Sequence, residues 1–140
     1  MNRTVRLIAA LCALTLCFSL ASCGSDRKKT IKVGLNVPMT GDIPKVGEGS
    51  KYAAEMWLED IQKAGGIEVG GTTYAVELVI EDNESKAESA VKANTKLITQ
   101  NDALIIIGPQ SSKQAIPAGD VANNYETPMI SPWSTNPDTP

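Results

Sequence analysis

The chain has 140 residues, 13 basic and 16 acidic, for a net charge of −3, and it contains no histidine. An acidic surface has no electrostatic attraction for nucleic acid or for anionic lipid headgroups. Without histidine a Ser-His-Asp triad and the usual zinc sites are excluded from this chain, and no cofactor or metal site is expected.

Arg3 and Arg6 form a short basic start, and Leu7 to Ala21 then runs apolar for 15 residues. A helix that spans hydrocarbon needs ~20 residues. A positive start, an apolar middle and a small-residue exit are the layout of a secretory signal, expected over residues 1–22. The run ends in Leu20-Ala21-Ser22-Cys23. This resembles the lipobox of bacterial lipoproteins, which implies cleavage after Ser22 and acylation of Cys23. Loss of the signal leaves 11 basic against 16 acidic residues, a net −5. Cys12 and Cys17 leave with it and Cys23 is consumed by lipid, so no thiol remains for a disulfide. Membrane contact is then expected through the lipid alone, which needs more than one acyl chain to hold stably. Residues 23–30 are small, polar and charged and read as a tether.

Ile31 to Val37 is β-branched and apolar, closed by Pro38, and predicts a buried strand. Residues 38–49, with Gly41, Gly47 and Gly49, read as a loop. From Ser50 an amphipathic helix is expected, with Tyr52, Ala53, Met56, Trp57, Ile61 and Ala64 on its apolar stripe. Gly65-Gly66 stops it, and Gly70-Gly71 marks a turn or small hairpin. Tyr74 to Ile80 predicts a second strand. Ser85 with Glu88 three positions on is a capping-box signature for the next helix. Ala103 to Ile107 is wholly apolar and predicts a third strand buried on both faces, ended by Gly108-Pro109. Residues 111–124 predict a weaker helix carrying Pro117, and Met129-Ile130 a short fourth strand.

Strands alternating with helices predict an α/β fold, a parallel sheet with helices on both faces and right-handed crossovers. Residues 131–140 contain Pro132, Pro137 and Pro140 with no apolar periodicity, and no helix follows to cover the last strand. The chain therefore reads as a fragment of a longer protein. An unpaired sheet edge and an uncovered face are expected.

In an open parallel sheet, ligands bind beyond the carboxyl ends of the strands where strand order reverses. Those ends include Gly108-Pro109-Gln110-Ser111-Ser112 and Ser131-Pro132-Trp133-Ser134-Thr135. Hydroxyls beside helix starts, where backbone N–H groups are free, suit a small carboxylate or zwitterion. Ser111-Ser112 is equally a plain helix cap, and Ser134-Thr135 equally turn chemistry ahead of Asn136-Pro137. Trp133 is either a pocket wall or a core residue. Gly41 with Gly47-Glu48-Gly49 lacks the Gly-Lys-Ser/Thr ending of a phosphate loop. Glu81, Asp82 and Glu84 lack calcium-loop spacing and read as a solvated strand end.

Four stretches together resemble the branched-chain amino acid-binding family, the substrate-binding proteins of ABC transporters. They are Ile31-Lys-Val-Gly-Leu-Asn-Val-Pro-Met-Thr-Gly41, Ala64-Gly-Gly-Ile67, Ile107-Gly-Pro-Gln-Ser-Ser112 and Met129-Ile-Ser-Pro-Trp-Ser-Thr-Asn-Pro137. The resemblance spans residues 31–140 in order. It implies a type I periplasmic-binding-protein fold of two lobes that close on a ligand, of which residues 31–140 would be the incomplete N-terminal lobe. It implies that Ser112 binds a solute carboxylate, helped by Ser111. Trp133, Ser134 and Thr135 would bind carboxylate and ammonium, and Val46 would wall the side-chain pocket. Val46 stands where the family often has an aromatic residue, and Trp133 where it often has a small one. The implied function is a lipid-anchored, extracytoplasmic capture protein, not an enzyme. It would deliver an amino acid or a similar small carboxylate or amide to ABC permease subunits. The alternative is a ligand-sensing receptor domain on the same fold.

Overall fold

A computed structural model describes residues 29–139; the expected signal, the lipidation residue Cys23 and most of the tether lie outside the described residues. The first strand, β1 (Lys29–Val37), alternates by face. Val33, Leu35 and Val37 point to one side of the sheet, Gly34 and Asn36 to the other. The strand starts two residues inside the expected tether, because Lys29 and Thr30 pair with Tyr74 and Ala75.

Helix α1 (Pro44–Lys63) begins well before Ser50. Pro44 sits in its first turn, where the fixed φ of proline is already helical and its missing N–H costs nothing. Gly47 is the contact residue of that turn: a Cβ there would lie 2.2 Å from the Pro38 carbonyl oxygen. Of the glycines that suggested a loop, Gly41 lies in one, Gly47 serves close packing and Gly49 faces open space. The hairpin expected near Gly70-Gly71 forms between β2 (Ile67–Val69) and β3 (Thr72–Asp82), which are antiparallel. Helix α2 (Ala87–Thr99), strand β4 (Ile105–Ile107), helix α3 (Ser112–Asn124, with Pro117 inside) and strand β5 (Met129–Ile130) complete the order.

The sheet runs β2-β3-β1-β4-β5, with β3, β1, β4 and β5 mutually parallel. The chain steps from β1 to β3 in one direction and from β3 across to β4 and β5 in the other. With one crossover hand, that reversal places the helices on opposite faces. Helix α1 lies over β1 and β3 on the Val33 side, and α2 with α3 lies on the Gly34 side. The α2 side is closely packed: Leu97, Ala103 and Ile106 form a core against which Val79, Ile98 and Met129 pack. The other side is covered only over β1 and β3. Ile105, Ile107 and Ile130 face outward there, so β4 is not buried on both faces as its composition suggests, and Leu104 is 62% exposed. The α1 stripe is also displaced. Ala54, Leu58 and Ile61 are half-buried, whereas Tyr52, Met56 and Trp57 are exposed. Among the described residues no helix is long and apolar enough to cross a membrane.

The α2 side carries a ladder of buried amides. Asn36 Nδ2 donates to the Ala90 carbonyl at 2.9 Å and to Asn94 Oδ1 at 2.8 Å. Asn36 Oδ1 accepts from Asn83 Nδ2 at 2.9 Å, and Asn83 Oδ1 accepts from the Ser85 N–H. Asn94 Nδ2 donates to the Ala118 carbonyl at 2.8 Å and to Met129 Sδ at 3.3 Å. β1, the turn after β3, α2, α3 and β5 are thereby tied through three side chains, each at most 1% exposed.

Asp82, at the end of β3, clamps the loop after β1. Its Oδ1 accepts from the N–H groups of Met39, Thr40 and Glu84, and its Oδ2 from the Thr40 hydroxyl at 2.6 Å. Ser85 is drawn into the same clamp: it donates to the Thr40 carbonyl and accepts from the Ile43 N–H. It therefore caps no helix. α2 starts at Ala87, after Lys86, with no side-chain capping bond. Partial burial pushes the Asp82 carboxyl up, but the Thr40 hydroxyl and the three N–H donors outweigh it and hold the group below the usual carboxylate range.

Two outcomes follow from these networks. Asn36→Leu strands Asn94 Oδ1 and an Asn83 N–H in the core, and at about 1–3 kcal/mol for each orphaned group the loss in urea unfolding should be at least ~2 kcal/mol. Because the folded-state pKa of Asp82 is depressed, its contribution is fully present above its unfolded pKa of ~3.9 and fades as pH falls through the folded value. The gap in unfolding midpoint between the wild type and Asp82→Asn should hold constant above pH ~5 and close in stronger acid. A gap independent of pH would remove the carboxylate from the clamp.

Candidate functional site

Strand order reverses about β1, and the crevice of an open α/β sheet lies at such a point, beyond the carboxyl ends. Here it is bordered by the loop after β1, the Gly108–Ser111 connection after β4, and residues 131–139 after β5. Gly108 has φ +103°, and a Cβ on it would lie 2.1 Å from the Asn36 carbonyl oxygen. Only glycine fits, so the connection leaves β4 pressed against β1. The Gly108-Pro109 peptide is cis. Ser131 donates to the Pro109 carbonyl and joins the β4 and β5 rims.

The hydroxyl of Ser112, the first residue of α3, is the meeting point. Ser134 Oγ donates to it at 2.8 Å, and the N–H groups of Thr135 and Asn136 donate to it at 3.3 Å each. The Ser134 and Thr139 hydroxyls are also in contact. Ser112 and Thr135, separated by 23 positions, thus share one rim of the sheet. Thr135 reaches the cluster through its backbone N–H. Ser134 takes one lone pair of Ser112 Oγ and the two longer N–H contacts share the other, which leaves the Ser112 hydrogen to donate. Ser111 occupies the N-cap position of α3 with extended backbone, but its side chain makes no capping bond, and no acidic residue lies in the first turn. An anion here would meet uncapped helix N–H groups and the positive end of the helix dipole.

Beside the cluster lies a cavity of about 720 Å³. Its floor is Val33, Leu35, Ile105 and Ile107; Val46, Ala53 and Trp57 of α1 form one wall, and Pro132 and Trp133 overhang it. Trp133 is 63% exposed, so it is a wall and not a core residue. Val46, expected in a loop, lines the cavity from the first turn of α1. Of the expected site residues, Ser112, Ser134 and Thr135 come together directly, Val46 and Trp133 flank the same cavity, and Ser111 borders it in sequence. Gln110, Ser50 and Trp57 also line the cavity and had not been singled out. The signal for Gln110 was its place between a strand-ending Gly-Pro and a helix-starting serine. Glu81 does not join a cation site: it pairs with Lys96 at 2.7 Å. Among the described residues no cluster of side chains fit to hold a metal occurs.

Residues 30–140 match the pattern of the family described as periplasmic binding protein. The chain is 32% identical over 109 residues to the Leu/Ile/Val-binding protein BraC3 of Rhizobium johnstonii, covering 77% of this chain and 28% of that protein. It is 31% identical to the leucine-, isoleucine-, valine-, threonine- and alanine-binding protein of Pseudomonas aeruginosa, over 98% of this chain and 34% of that protein. The crystal structure of the branched-chain amino acid transporter substrate-binding protein LivJ from Streptococcus pneumoniae, in complex with isoleucine, superposes with a TM-score of 0.72 and 32% identity. It covers 78% of this chain and 30% of that one. The chain thus spans about a third or less of the length of the proteins it matches. Its α/β architecture is part of the type I fold of these neighbours, and the chain belongs to the periplasmic binding protein family.

Proposed function

We infer that this chain is the N-terminal part of an extracytoplasmic solute-binding lipoprotein that captures an amino acid, branched-chain or related, for an ABC importer. The observation that carries the binding role is the convergence of the Ser134 hydroxyl and two backbone N–H groups on Ser112 Oγ at an uncapped helix start. These donors now share one hydroxyl oxygen, and a solute carboxylate that takes them over keeps each of them paired; the adjoining apolar cavity suits an aliphatic or small polar side chain. The roles are those the family resemblance implies: Ser112, with Ser111 beside it, and Ser134 with the Thr135 amide hold the carboxylate, while Val46 and Trp133 wall the side-chain space. Binding proceeds without chemistry. The named ligands of the relatives, which include isoleucine, leucine and threonine, support the solute class.

The remaining assignments follow from sequence layout. Residues 1–22 are the export signal, Cys23 carries the lipid, residues 23–28 are the tether, and the chain from β1 onward belongs to the first lobe. The partners are then a small-molecule ligand, the permease subunits and a membrane reached through lipid.

Ser112→Ala in the full-length protein removes one hydrogen bond to a charged group, about 1.5–3 kcal/mol, so affinity should fall at least ~10-fold by titration calorimetry. Unchanged affinity would take Ser112 out of the site. The lipid assignment has its own check. The wild-type protein expressed in bacteria should partition into the detergent phase of Triton X-114 and incorporate labelled palmitate, and Cys23→Ser should do neither. Equal partitioning of both would refute acylation at Cys23.

A further inference from the structure

Gln110 is 2% exposed, and one end of its side chain is unaccounted for. Its Nε2 donates to Ser50 Oγ on α1 at 3.0 Å. Ser50 in turn donates its single hydrogen to the Val46 carbonyl at 2.9 Å. Ser50 therefore has only a lone pair to offer, which fixes the amide with nitrogen toward the serine and oxygen away from it. That oxygen, Gln110 Oε1, has no hydrogen-bond partner among the described residues. Buried polar atoms are nearly always paired, because the lost hydration is not otherwise recovered. Gln110 also lines the cavity beside the serine cluster, whose walls are otherwise mostly aliphatic and aromatic carbon. The last torsion of glutamine is broad, so a modest rotation can offer the oxygen to whatever fills the cavity.

We propose that Gln110 is the specificity residue of this site: Oε1 accepts a hydrogen bond from a hydroxyl or amide N–H on the side chain of the solute. The proposal rests on the amino acid-binding reading given above and narrows it. The solute is a small amino acid with a donor on its side chain, favoured over an aliphatic one of the same shape. Two residues, at most ~7 Å of backbone, separate Gln110 from Ser112. A molecule held at Ser112 by its carboxylate therefore keeps its side chain within reach of Gln110. Ser50 acts as a positioning residue, because it sets which end of the amide remains free.

Titration calorimetry on the full-length protein with shape-matched pairs, threonine against valine and asparagine against leucine, tests this. The wild type should favour the polar member of at least one pair by about fivefold, the worth of one neutral hydrogen bond. Gln110→Met, which keeps length and removes the acceptor, should abolish that preference. Ser50→Ala should at least halve it, and decides the matter alone if Gln110→Met does not fold. A wild type that prefers the aliphatic members, or a preference unchanged in these variants, overturns the proposal. So does a variant whose thermal midpoint drops while the preference stays, since the partner of Oε1 would then belong to the protein itself. Binding of none of the four amino acids, with other solutes bound, overturns this inference alone. Binding of no amino acid at all overturns the solute reading with it.

Discussion

Asn36 sits where two strands and two helices have to agree. Its amide spends both hydrogens on α2 and its oxygen on the turn after β3, while Asn94 carries the same network on to α3 and β5. In the low dielectric of a protein interior such a network is strong when closed and costly when any member is lost. It also has a geometric effect. Apolar packing tolerates small slides of a helix over a sheet, whereas these bonds hold only at one register. The ladder lies at the carboxyl end of β1, directly beneath the loops that form the crevice. The position of the α3 start, and with it Ser112, is therefore set through side-chain amides as well as through the core of Leu97 and Ile106.

The rim of the crevice follows from strand order. β1 has β3 on one side and β4 on the other, so the loops on its two flanks leave in opposite directions and a gap opens above it. Two devices keep that gap from collapsing or fraying. Asp82 draws the loop after β1 toward β3, and Gly108 lets the connection after β4 lie against β1 without steric conflict. The rim then gathers hydroxyls and backbone donors from residues far apart in the chain, with a helix start behind them. The side chains and amides that meet at Ser112 are all neutral.

Much of this was legible in the sequence. Apolar β-branched runs divided by helical periodicity predicted the parallel sheet, and hydroxyls at strand ends predicted the rim, because both signals are local. The failures were tertiary. Residues 38–49 read as one loop, and 38–43 with Gly41 are one, yet Gly47 is the close-contact residue of a helix that Pro44 starts. Ser85 matched a capping motif, but the loop after β1 competes for its hydroxyl and wins. Tyr52, Met56 and Trp57 matched an apolar stripe, although the stripe that meets the sheet is turned toward Ala54, Leu58 and Ile61. No sequence pattern could show that Gln110 has one bonded end and one free end, since that depends on the hydroxyl orientation of Ser50, 60 positions away.

Both tryptophans of the chain, Trp57 and Trp133, line the cavity beside the serine cluster. An indole that loses contact with water emits at shorter wavelength, and two that do so together leave no unresponsive background from elsewhere in this chain. Intrinsic emission is thus an optical gauge of whether that space is wet or filled, read without any label.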